Sequence, residues 1–154
     1  MDEVPDHLRR YPTKAGREAL AARLGLTIDP HSQDWEWEVA GPPHFDAWLA
    51  TYQNAALSDD ERFSLMEMLI QCVEGMVPLR GLPEEVEDLP QWQPVAALLK
   101  ANPRLHASSI AYWSIFGRDD PEEHFRVSVP MRKVWAAVKP ELAEQGAAAA
   151  GGGM

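Results

Sequence analysis

The chain contains a single cysteine, Cys72, among its 154 residues. No intramolecular disulfide can form, and a lone thiol among the aliphatics Leu69, Ile70 and Val73 fits a buried position in a protein of a reducing compartment. Long apolar runs are missing too. The longest stretch of the folded part without Asp, Glu, Lys or Arg is Leu105–Gly117, short of the roughly 20 residues that span a bilayer. The opening Met1-Asp2-Glu3 has no apolar segment of a secretory signal. These absences predict a soluble, cytoplasmic protein without membrane contact. Basic side chains are scarce, 14 against 24 acidic ones, for a net charge of -10 and a pI near 4.9. Binding to nucleic acid through its phosphates is therefore disfavoured.

Catalytic and metal signatures are lacking as well. No H-E-x-x-H, H-x-H or pair of histidines at i, i+4 occurs. His44 and His124 stand beside carboxylates without a ligand spacing. Asp119-Asp120-Pro121-Glu122-Glu123 has neither the alternation nor the central glycine of a calcium loop. There is no G-x-S-x-G elbow and no glycine-rich phosphate loop. No metal, catalytic residue or cofactor is implied.

What is present is helical patterning. A helix is predicted over Lys14–Leu24, with Thr13 as N-cap and Gly25 as stop. Phe45, Trp48, Leu49 and Tyr52 form one stripe of a helix over Pro43–Ala56. Ser58-Asp59-Asp60-Glu61 is a capping box opening the next, whose stripe is Phe63, Met66, Leu69, Ile70 and Val73. The short connection between the two makes an αα-hairpin. Residues 76–91 read as a proline-rich acidic linker. A second hairpin follows, with Trp92, Val95, Leu98 and Leu99 on one helix and Leu105, Ser109, Tyr112 and Phe116 on the other, turning at Asn102-Pro103. A last helix begins near Pro130. The six tryptophans fall at apolar positions and read as core.

One segment departs from this period. Trp35-Glu36-Trp37-Glu38-Val39 alternates strictly and predicts a short strand, whose only candidate partner is the alternating run Phe125–Val129. The expected fold is thus mostly α: a compact bundle of about six helices built from αα-hairpins, with a candidate minor two-stranded β element. Residues 1–33 form an N-terminal arm with one helix that docks loosely, 34–145 the helical core domain, and 146–154 a disordered Ala/Gly tail.

The negative charge is concentrated. Residues 34–88 hold thirteen acids against Arg62 and Arg80, a net of -11, while both flanks are nearly neutral. The acids cluster at Asp34, Glu36 and Glu38; at Asp59, Asp60 and Glu61; and at Glu84, Glu85, Glu87 and Asp88. Brought together, they would form a surface that attracts a basic protein partner. The competing role is helix capping and solvation. His106, in the first turns of an apolar helix, is the one polar side chain with a choice between core hydrogen bonding and acid–base work.

The blocks Asp34–Ala40, Leu57–Phe63 and Leu105-His106 through Tyr112-Trp113 resemble small uncharacterised bacterial helical proteins, some of them similar to immunity proteins of polymorphic or contact-dependent toxin systems. The resemblance implies a cytoplasmic, non-enzymatic protein that binds and neutralises a partner, often a basic nuclease toxin. Partner-binding residues would then be Asp34, Glu36, Glu38, Asp59, Asp60, Glu84, Glu85, Glu87 and Asp88. The alternatives are a small enzyme with an acid–base site around His106, or a module that homodimerises through exposed aromatics.

Overall fold

The structure, a computed structural model, describes residues 4–29, 31–77, 83–118, 120 and 124–152. Within them the chain is mostly α, with eight α-helices: α1 (Lys14–Leu24), α2 (Trp35–Val39), α3 (Phe45–Asn54), α4 (Asp59–Glu74), α5 (Pro83–Glu87), α6 (Trp92–Ala101), α7 (Pro103–Ser114) and α8 (Ser128–Gly152). Two 3-10 turns, Asp6–Leu8 and Pro42–His44, precede α1 and α3. Among the described residues no helix is long and apolar enough to cross a membrane.

The local signals act as their chemistry requires. Thr13 Oγ1 accepts from the Gly16 N–H at 3.0 Å, and Gly25 ends α1 in the left-handed region, at φ 69°. Both halves of the capping box are formed: Ser58 Oγ accepts from the Glu61 N–H, and Glu61 Oε1 accepts from the Ser58 N–H.

Helix α4 is the axis of the bundle. Every residue from Phe63 to Ile70 is buried, as are Cys72, Val73 and Glu74, because α1, α2, α3, α6 and α7 all pack around it. A helix covered on all sides cannot keep a polar face. Its polar side chains must instead find partners in the interior. The α3–α4 and α6–α7 hairpins are both present, but the broadest helix–helix contact is α7 on α8. Five tryptophans are buried, and Trp37 is half-buried against the core.

Four expectations change. First, Trp35–Val39 is helix α2, and the Phe125–Val129 run is a turn that passes into α8 at Ser128; no strand exists among the described residues. Asp34 starts α2, its carbonyl accepting from the Trp37 and Glu38 N–H groups. Trp35 enters the core with its Nε1–H donating to the Thr27 carbonyl at 3.0 Å. Five residues are too few to separate a period of two from one of 3.6, and a strand with no partner leaves its backbone groups unpaired.

Second, the stretch expected as linker contains α5, with Pro83 at its first position and Val86 fully buried; residues 78–82 lie outside the described residues. Third, the arm is firmly docked. Leu8, Leu20 and Ala21 belong to the core, and α1 packs along α4. The approach is close: a Cβ added at Gly16 would lie 2.8 Å from Asp60 Cβ. Fourth, the α8 backbone runs to Gly152, through most of the segment expected to be disordered. Its alanines have the highest helix propensity of any residue, which carries the helix past Leu142, the last core side chain among those described.

Candidate functional site

Part of the acidic segment is turned inward. Four of its glutamates, Glu36, Glu61, Glu67 and Glu74, are buried. Burying a carboxylate is unfavourable unless it is paired and hydrogen-bonded. Three of the four have an arginine. Arg17 holds Glu36 with two parallel bonds of 2.6 and 2.7 Å, and Ser64 Oγ donates to the same carboxylate at 2.8 Å. Arg23 bonds Glu61 at 3.1 Å, where capping and the arginine hold that carboxyl below its ordinary range against the effect of burial. Arg126 bonds Glu74 at 2.9 Å, and the same carboxylate accepts from the backbone N–H groups of Arg126 and Val127, at the entry to α8.

Arg10 adds a fourth clasp, at 2.9 Å from Asp60. The arm's arginines 10, 17 and 23 therefore answer acids of the central segment, so much of the charge imbalance read along the sequence cancels in space.

The expected partner-binding acids lie on separate elements. Asp34, just before α2, and Glu38, on it, are exposed, with Glu36 between them buried. Asp59 is exposed at the start of α4, within 3.4 Å of Arg62, and Asp60 is half-buried under Arg10. Glu84, Glu85 and Glu87 lie on α5 and Asp88 follows them; Glu85 and Asp88 are exposed, and Glu87 bonds Lys133 at 2.7 Å. Helix α2 packs on α4, whereas α5 packs on α6 and α8.

The feature that does gather chemistry is a groove of about 410 Å³, between the extended arm and helices α4 and α7. Val4, Arg9, Arg10, Tyr11 and Pro12 form the arm wall; Phe63 and Glu67 of α4 and Ser108, Ala111 and Tyr112 of α7 face them. The arm is fixed there by the Arg10 N–H, which donates to Ser108 Oγ at 2.9 Å. Tyr11 is 73% exposed and Tyr112 46%, and these are the only exposed large hydrophobics among the described residues. Tyr112 stands on an aromatic platform of Trp37, Trp113 and Phe125, with ring centroids 5.5 to 5.9 Å away. Burial and the nearby charges of Glu67 and Asp34 raise its phenol pKa.

Glu67 is the buried glutamate without an arginine. Its Oε2 accepts from Trp113 Nε1–H at 2.5 Å. Burial, opposed by that hydrogen bond and by the Ser109 hydroxyl and reinforced by the charge of Glu36, lifts its pKa to about 7. A carboxyl poised near neutrality on the wall of a groove is the kind of group that marks functional sites.

His106 has no such access. It is fully buried, with Nε2 2.6 Å from Tyr52 Oη and Nδ1 without a hydrogen-bond partner. Burial and the charges of Arg10 and Arg62 lower its pKa to about 3, so it is neutral at pH 7. It is a core side chain, out of reach of a substrate. Cys72 is likewise buried, its thiol donating to the Gly41 carbonyl and its pKa pushed up to about 11 by burial. No group of three or more potential metal ligands occurs among the described residues.

The sequence offered one signal for Glu67. It lies within the run Leu65-Met66-Glu67-Met68-Leu69, where apolar neighbours on every side already exclude a solvated face. Nothing marked Tyr11, which reaches the groove only through the docking of the arm. In comparisons with known proteins, no family model, curated protein or solved structure matches the chain.

Proposed function

We propose that the chain is a non-enzymatic, cytoplasmic protein-binding module of immunity type, which captures and neutralises a basic partner such as a toxin through the groove between the arm and α7. The observation that carries this reading is the placement of both exposed large hydrophobic side chains, Tyr11 and Tyr112, on the walls of one groove. Tyrosines held on a rigid platform supply contact area at little entropic cost and are typical binding anchors. The exposed acids Asp34, Glu38, Asp59, Glu85 and Asp88 support a second role for charge: with a net of -10 they draw a basic partner in from a distance without touching it.

A second reading rests on Glu67. Its pKa of about 7 suits acid–base chemistry, so an enzyme would work there and not at His106.

The test is capture from the source cell with wild-type chain and with Tyr11→Ala and Tyr112→Ala, followed by identification of the retained protein. Support requires a basic protein that is toxic when produced alone, is neutralised by this chain, and binds at least tenfold more weakly to each tyrosine variant. Reversing Glu84, Glu85, Glu87 and Asp88 to lysine is expected to slow association and flatten its salt dependence, leaving dissociation nearly unchanged. Capture that is indifferent to both tyrosines would refute the groove as the interface. A concentration-dependent mass in light scattering, lost in Tyr112→Ala, would replace the partner with a second copy of the chain.

A further inference from the structure

Three of the four buried glutamates are matched by an arginine of the chain itself: Glu36 by Arg17, Glu61 by Arg23 and Glu74 by Arg126. The fourth, Glu67, meets no cation among the described residues, and it is the one that lines the groove. Its described neighbours are neutral donors, the indole of Trp113 and the hydroxyl of Ser109.

The charged groups around it do not repair the mismatch. From α2, Glu36 adds negative charge, although Arg17 of α1 holds that carboxylate. Asp34, just before α2, acts with Glu67 on the Tyr112 phenol of α7. From the arm, Arg9 and Arg10 stand at the opposite wall, engaged by Asp6 at 3.2 Å and Asp60 at 2.9 Å. The α4 wall of the groove therefore presents one carboxyl that none of the chain's described arginines pairs with, beside the ring of Tyr112, although Arg9 and Arg10 line the same groove.

We infer that the groove is an acceptor for a single arginine side chain of the basic partner, whose guanidinium takes the place at Glu67 that Arg17, Arg23 and Arg126 fill at the other three glutamates. Tyr11 and Tyr112 flank its planar cation, which aromatic faces attract, and a carboxylate can accept two of its N–H groups in parallel. Glu67 must be ionised to do this, so occupancy releases a proton wherever the empty site is protonated. The proposal rests on the groove being the partner site, and it specifies what enters.

The experiment needs no partner. N-acetyl-arginine methylamide is titrated into the 15N-labelled chain, with the citrulline analogue as the neutral isostere. The indole N–H of Trp113, which donates to Glu67, is the reporter. The arginine compound is expected to shift that resonance saturably and to lower the pH midpoint of its Glu67-dependent titration by about a unit, because an opposite charge favours the ionised form. The citrulline compound should bind at least tenfold more weakly.

Glu67→Gln should abolish saturation. Tyr112→Leu, at an exposed position that does not endanger folding, should weaken it severalfold. Equal responses to the two compounds, saturation that survives Glu67→Gln, or no saturable shift up to about 100 mM, a ceiling for single-fragment affinity, each overturn the proposal. Because the probe is independent of any captured protein, a tyrosine-dependent partner with no arginine response removes the occupant alone. An arginine response with no partner removes the immunity reading alone.

Discussion

Replacing Arg17 with methionine tests whether the central acids bind the chain's own arm. Arg17 makes two bonds to Glu36, at 2.6 and 2.7 Å, and donates to the carbonyls of Ser32 and Gln33 at 3.2 and 2.8 Å. The Glu36 side chain is only 4% exposed. Methionine keeps much of the stem's packing but leaves that carboxylate with the Ser64 hydroxyl as its remaining described hydrogen-bond donor. Breaking a buried pair by removing one partner costs about 3–5 kcal/mol, a large share of the roughly 5–15 kcal/mol that holds a domain together. With a urea dependence of about 2 kcal/mol per molar, a loss near 4 kcal/mol moves the unfolding midpoint down by roughly 2 M. Tryptophan fluorescence reads it directly.

Lys133→Met is the control. It breaks the solvated Glu87 pair, where the lysine is 65% exposed, and should shift the midpoint by less than about 0.5 M, since exposed pairs contribute under about 1 kcal/mol. Combining Arg17→Met with Glu36→Leu should recover most of the loss, because an apolar pair carries no desolvation penalty. A midpoint for Arg17→Met within about 0.5 M of wild type would refute the view that the arm is clasped by buried charge.

Glu67 should make stability fall as pH rises. Its pKa is raised from 4.5 to about 7 in the folded chain, so the folded state holds more protons than the unfolded state across that interval; the contribution is fully present below about 4.5 and lost as pH passes about 7. The span corresponds to roughly 3 kcal/mol, and Glu67→Gln should flatten that part of a stability–pH curve measured by denaturant unfolding. Gly16→Ala sets two effects against each other: alanine gains about 1 kcal/mol of helix propensity, but its Cβ meets Asp60 Cβ at 2.8 Å and Thr13 Oγ1 at 2.9 Å. Crowding of this kind costs about 1–3 kcal/mol, so thermal unfolding should show a net destabilisation. Cys72 should resist thiol reagents in the native chain and react fully in urea, because burial keeps its thiol protonated, with a pKa of about 11.

Elements whose signals are local were legible in the sequence. The Thr13 and Ser58 caps, the Gly25 stop and the Asn102-Pro103 turn each depend on a few adjacent residues, and the bounds of α1 match them. Trp35–Val39 was not legible as helix, because its alternation spans only five residues and its conformation is decided by Trp35 packing into the core. The spatial arrangement of the -11 segment was not legible for a related reason. Charge counted along a chain says nothing of which arginine, 19 or 38 positions away, folds back to meet it. Glu67 sits in an apolar run and reads as an anomaly, whereas the groove around it depends on arm docking that no local pattern encodes.

The groove joins distant parts of the chain, since the contact that seats the arm, Arg10 to Ser108, links residues 98 positions apart. During synthesis at roughly 5–20 residues per second, its first wall leaves the ribosome several seconds before its second exists. The groove is therefore complete only late, once α7 is in place. The relation also runs backward: whatever binds across both walls favours the closed form by mass action. Under the proposed function, a bound partner should therefore protect residues 4–24 from proteolysis, adding to the clasp that the arm's arginines already make.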